Sequence, residues 1–178
     1  MALLDAIQQK SFLGPEFVTW LWFRSETDEE GMRTPDGEFC EIEFDKDLVL
    51  TSEAGQALNS TFRGEAPSMA PEAAAALAAG KKVKRAKIHC TIGSSDYIFT
   101  VDATNFDWRS LKIDTPSSLP FDEAVPLRLN ALESFHKVFD DLFGRFLDLR
   151  LDAEDWPAEE ERMRQWIRDN LGEERAAE

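Results

Sequence analysis

The chain has 178 residues, 43% of them hydrophobic and 31% charged, a balance that supports a folded core and excludes a disordered chain. Asp and Glu outnumber Lys and Arg 35 to 20, for a formal net charge of −15, which taken alone opposes contact with nucleic-acid phosphates. No apolar run reaches the roughly 20 residues needed to span a bilayer, and MALLDAIQQKSFLG lacks the basic head and apolar core of a secretory signal, so a cytoplasmic protein is expected.

The first predicted element is a helix from about Pro15 to Arg24. Pro15 suits a first helical turn and Glu16 its positive end. Phe17, Val18, Trp20, Leu21, Trp22 and Phe23 make it apolar on nearly every side, so its own fold or a partner must bury it. Glu26–Asp36 is acidic and turn-rich and reads as an exposed loop. Phe39–Asp45 then alternates, with Cys40, Ile42 and Phe44 facing inward and Glu41, Glu43 and Asp45 outward. Asp47–Thr51 is expected as a second strand after a short turn, and Ala57–Arg63 as a third.

Pro71–Ala79 reads as a short helix stopped by Gly80. Lys81–Ile92 is a strand with Ala86, Ile88, Cys90 and Ile92 on one face and Arg85, Lys87 and His89 on the other. The turn signal at Gly93–Asp96 joins it to Tyr97–Asp102 as a hairpin. A turn at Asn105–Trp108 precedes a short edge strand, Ser110–Ile113. A long helix from Asp122 or Pro126 to Arg150 carries the stripe Leu132, Phe135, Phe139, Leu142, Phe143, Phe146 and Leu149. After Trp156 and Pro157, a last helix spans Ala158–Leu171 with Met163, Trp166, Ile167 and Leu171 on one face. The predicted class is α+β: an antiparallel β-sheet with flanking helices and a long C-terminal helix pair. Residues 1–150 form one domain, and residues 151–178 a C-terminal helix and acidic tail.

Charge is unevenly placed. Residues 81–112 hold Lys81, Lys82, Lys84, Arg85, Lys87, Arg109 and Lys112 against Asp96, Asp102 and Asp107, a locally basic segment on an acidic body. Such cations bind phosphates without reading bases, or else form an ordinary solvated sheet face. Glu41, Glu43 and Asp45 offer oxygens to Mg²⁺ as in a nuclease, yet alternating carboxylates are also what an exposed sheet face presents. His89 and His136 show no triad or zinc spacing, and Cys40 and Cys90 read as buried thiols. No glycine-rich phosphate loop precedes Lys81 and Lys82. No catalytic residue, metal site or cofactor is therefore expected.

The stretch Glu72–Asp114 has a distinctive order: an Ala-rich helix, then Ala79-Gly80-Lys81-Lys82-Val83-Lys84-Arg85-Ala86-Lys87. The return strand Tyr97-Ile98-Phe99-Thr100-Val101-Asp102 follows, and after a turn Arg109-Ser110-Leu111-Lys112-Ile113. This resembles the C-terminal half of the recombination-associated protein RdgC family, and FLGPEFVTWLWFRSE looks like the opening of RdgC-related bacterial proteins. The resemblance implies a non-enzymatic protein of the nucleoid that binds double- and single-stranded DNA with little sequence preference. It would antagonise RecA by coating or encircling the duplex. Lys81, Lys82, Lys84, Arg85, Lys87, Arg109 and Lys112 would then face DNA. The family's N-terminal half has no counterpart here, which implies a homo-oligomer or pairing with a separately encoded chain like that half. The rival expectation is an acidic protein-interaction or inhibitor module on the same scaffold that does not bind DNA.

Overall fold

Six strands form one antiparallel sheet in a computed structural model that describes residues 13–28, 32–34, 36–52, 59–64, 70–114 and 120–172. In chain order they are β1 (Met32–Arg33), β2 (Phe39–Thr51), β3 (Ser60–Arg63), β4 (Lys82–Ile92), β5 (Ser95–Asp102) and β6 (Asp107–Ile113). The order across the sheet is β1-β2-β4-β5-β6, with β3 pairing the far half of β2. The helices are α1 (Leu13–Thr27), α2 (Pro71–Ala78), α3 (Phe121–Leu151) and α4 (Asp155–Gly172). The fold is α+β, as the alternation and helical periodicity predict.

One sheet face is apolar and covered. Cys40, Ile42 and Phe44 on β2, Ala86, Ile88, Cys90 and Ile92 on β4, and Tyr97, Phe99 and Val101 on β5 are all buried. The Cys40 and Cys90 sulfurs lie 3.8 Å apart as free thiols. The contact with Cys40, together with burial, pushes the Cys90 thiol up, while at Cys40 the same contact outweighs burial and lowers the thiol.

The apolar helix α1 is buried by its own fold. Trp22 meets Phe44 of the sheet at 5.8 Å between ring centres and Trp166 of α4 at 5.4 Å, while Phe17 meets Phe146 of α3 at 5.6 Å. A helix walled on three sides needs no polar stripe, and each buried aromatic contributes on the order of 1.5–3 kcal/mol. Its entry is fixed by Gly14, where a Cβ would fall 1.7 Å from the Ala103 carbonyl oxygen in the turn between β5 and β6. Thr19 is buried too, its hydroxyl donating to the Pro15 carbonyl at 2.7 Å and accepting the Val83 N–H at 2.9 Å.

Several expectations are corrected. Asp45 and Asp47 are not separated by a turn: β2 runs unbroken through a bulge between Asp45 and Leu48, and Lys46 belongs to the strand. The loop expected over Glu26–Asp36 contains the end of α1 and the strand β1, whose Met32 is buried opposite Cys40. Trp156 and Pro157 lie inside α4, in its first turn, where proline's missing N–H is harmless. Of the third strand, Ala57 and Leu58 lie outside the described residues.

The long helix is α3, 31 residues or roughly 46 Å. It packs on Phe99 and Trp108 through Phe135 and Phe139. Its first ten residues are almost wholly exposed, including Phe121 at 84% and Leu129 at 60%. Pro126 falls in this overhang.

Candidate nucleic-acid interface

The uncovered sheet face carries the charged residues of the hairpin β4–β5. Antiparallel pairing sets Glu43 opposite His89 and Asp45 opposite Lys87, so an acidic column on β2 lies along a basic column on β4. Lys87 Nζ reaches Asp45 Oδ2 at 3.1 Å, and Arg85 reaches Asp47 Oδ2 at 3.8 Å. Partial burial pushes the Asp45 carboxyl up, but the Lys46 backbone N–H and the Lys87 ammonium outweigh it and hold it below its usual range. His89 stands 3.6 Å from both Glu43 and Asp96.

The remaining predicted cations are distributed as follows. Arg109 on β6 donates to Asp107 at 2.8 Å and lies 3.7 Å from Asp102. Lys82 is bound to Glu16 of α1 at 2.7 Å, on a carboxylate that Arg150 shares at 3.0 Å. Lys81 donates to the neutral Ser60 hydroxyl at 2.7 Å. Lys84 is the extra residue where the register steps from Val49↔Arg85 to Leu50↔Val83, so a bulge takes it out of the alternation. Lys112 pairs in register with Ile98 on the open face.

Four of the seven cations, Lys82, Arg85, Lys87 and Arg109, therefore already face carboxylates. Lys81, Lys84 and Lys112 have no carboxylate partner among the described residues. As phosphate ligands the four would have to exchange one anion for another, so they add less than free cations would.

The acidic column does not form a metal site. Among the described residues no group of three or more His, Cys, Asp or Glu side chains is arranged to hold an ion. Glu41, Glu43 and Asp45 are spread along one strand, with Asp45 turned to Lys87 and Glu43 to the His89 imidazole. His136 lies beside the Phe135 ring at 5.6 Å.

Two polar centres were invisible in the sequence. Glu159 on α4 is 4% exposed, accepts the Trp20 indole N–H at 2.8 Å, and contacts Arg162 at 3.0 Å and Arg24 at 3.5 Å. Glu26 accepts from the indoles of Trp22 at 2.5 Å and Trp166 at 3.1 Å. Burial raises its carboxyl, and those indole hydrogen bonds only partly offset the rise. Both glutamates sit in runs of acidic residues, and only tertiary contact distinguishes them from their neighbours. Comparison with protein-family models, with characterised proteins and with solved structures gives no match.

Proposed function

We propose that this protein is a non-catalytic interaction module whose open, predominantly anionic sheet face receives a basic protein surface. The observation that carries this reading is the set of ion pairs between β2 and β4 and around Arg109 on β6. It engages Arg85, Lys87 and Arg109, three of the cations that phosphates would need, and leaves Glu41 and Glu43 exposed at its margin. The net charge of −15 steers such an encounter at long range, and the exposed column supplies short-range contacts.

Fluorescence anisotropy with a poly-arginine peptide and with a mixed-sequence duplex tests it. The peptide should bind, more weakly as salt rises, and Glu41→Lys with Glu43→Lys should reduce its affinity by about tenfold. The duplex should show no binding at physiological salt. A peptide that ignores both substitutions would overturn the reading.

A second reading, DNA binding in recombination, is supported by a residue order that resembles that of the RdgC family and by Lys81, Lys84 and Lys112. The same titration separates the two quantitatively. Seven phosphate contacts give a log–log salt slope of about −6, and three give about −3. A slope near −6 means that the ion pairs yield to DNA, which would restore the full predicted surface.

A further inference from the structure

A cleft of about 510 Å³ opens between α1, α2 and α4, on the helical side of the molecule and away from the charged sheet face. Leu77, Trp156, Met163, Ile167 and Leu171 line it, so its walls are mainly apolar. Its size falls within the roughly 300–1,000 Å³ of clefts that hold a small organic ligand.

Its lining holds more cations than carboxylates, opposite to the balance of the whole chain. Lys81, Lys82, Arg164 and Arg168 border it against Glu16 and Glu160. Glu16 is held by both Lys82 and Arg150, and Glu160 by Arg164. Lys81 lines the cleft and its ammonium donates to the neutral Ser60 hydroxyl rather than to a carboxylate, which leaves its charge for a molecule with one anionic end. We propose that this cleft binds a small amphipathic anion, a single acyl chain ending in a carboxylate, with the chain along Met163 and Ile167 and the carboxylate on Lys81. A free monomeric acid fits better than a bilayer surface, because the protein's overall charge opposes approach to anionic membranes.

Isothermal titration of the full chain with dodecanoate, 1-dodecanol and dodecyltrimethylammonium tests the proposal. Dodecanoate should bind saturably at one site, more tightly than the alcohol, and the ammonium should not bind. Lys81→Glu should weaken dodecanoate by about tenfold and leave the alcohol unchanged. Ala78 is exposed at the rim, so Ala78→Trp should fill the entrance and remove binding of both. Independently, 11-bromoundecanoate should quench part of the tryptophan emission, and Trp156→Phe should remove that part. An affinity for dodecanoate indifferent to Lys81→Glu would overturn the proposal. So would binding detected only with anionic phospholipid vesicles, or quenching that survives Trp156→Phe.

Discussion

At the scale of single residues, the fold depends on a few atoms with no room to move. Gly14 lets α1 begin against the backbone of the turn at Ala103, and any Cβ there meets a carbonyl oxygen rather than a side chain that could yield. Gly14→Ala should therefore cost several kcal/mol, on the order of 3, and shift the urea midpoint accordingly. Thr19→Val keeps the shape but leaves the Val83 N–H without its acceptor. It should cost about 1–3 kcal/mol by the same measurement. Glu159 is a buried charge with three partners, so Glu159→Ala strands the Trp20 N–H and the Arg24 guanidinium together. Its expected cost is about 3–5 kcal/mol, with a lower thermal midpoint in calorimetry. None of these roles was legible in the sequence. Gly14 reads as a loop residue before a helix, and Glu159 as one more acid in the run Glu159–Glu161.

At the scale of elements, legibility followed periodicity. The alternation of β2, β4 and β5 is local and named the correct inward faces, and the threes and fours of α3 named Phe135, Phe139, Leu142 and Phe146 as core. Register between β2 and β4 is not local, since β3 and α2 intervene, and register decides which carboxylate faces which cation. Thus the basic column was legible and its pairing with Asp45 and Asp47 was not. The bulge at Lys46 was misread because two residues of one type of signal, Asp45 and Asp47, flank it as they would a turn.

The Asp45–Lys87 pair carries a pH test. A carboxyl held below its usual value contributes stability that is fully present above the unfolded pKa of about 4 and is lost as the pH falls through the lower folded value. Asp45→Asn should then destabilise by about 0.5–1 kcal/mol at pH 7 and by almost nothing at pH 2, measured as unfolding midpoints at the two pH values. Equal effects at both would mean that packing, not charge, holds the pair.

At the scale of the whole molecule, a large surplus of negative charge surrounds an aromatic centre. Most visible cations are already matched, so the surplus is largely self-repulsion, which dissolved salt screens. The thermal midpoint should rise by about 2–4 °C between low and physiological ionic strength, worth roughly 1 kcal/mol for a chain of this size. A fall would show that the ion pairs outweigh the surplus. The same composition that argues against phosphates in bulk left a basic segment legible, and only the fold could show how far neighbouring strands neutralise it.

The enclosure of α1 by the sheet, α3 and α4 bears on how the polypeptide would behave once cut. Asp152–Glu154, joining α3 to α4, is exposed and within reach of a protease. Cleavage there would sever the backbone while Trp166 stays clamped between Trp22 and Phe23 and Glu159 stays bonded to Trp20. The nicked protein should migrate as one species on a native gel and fall into two pieces only in denaturant.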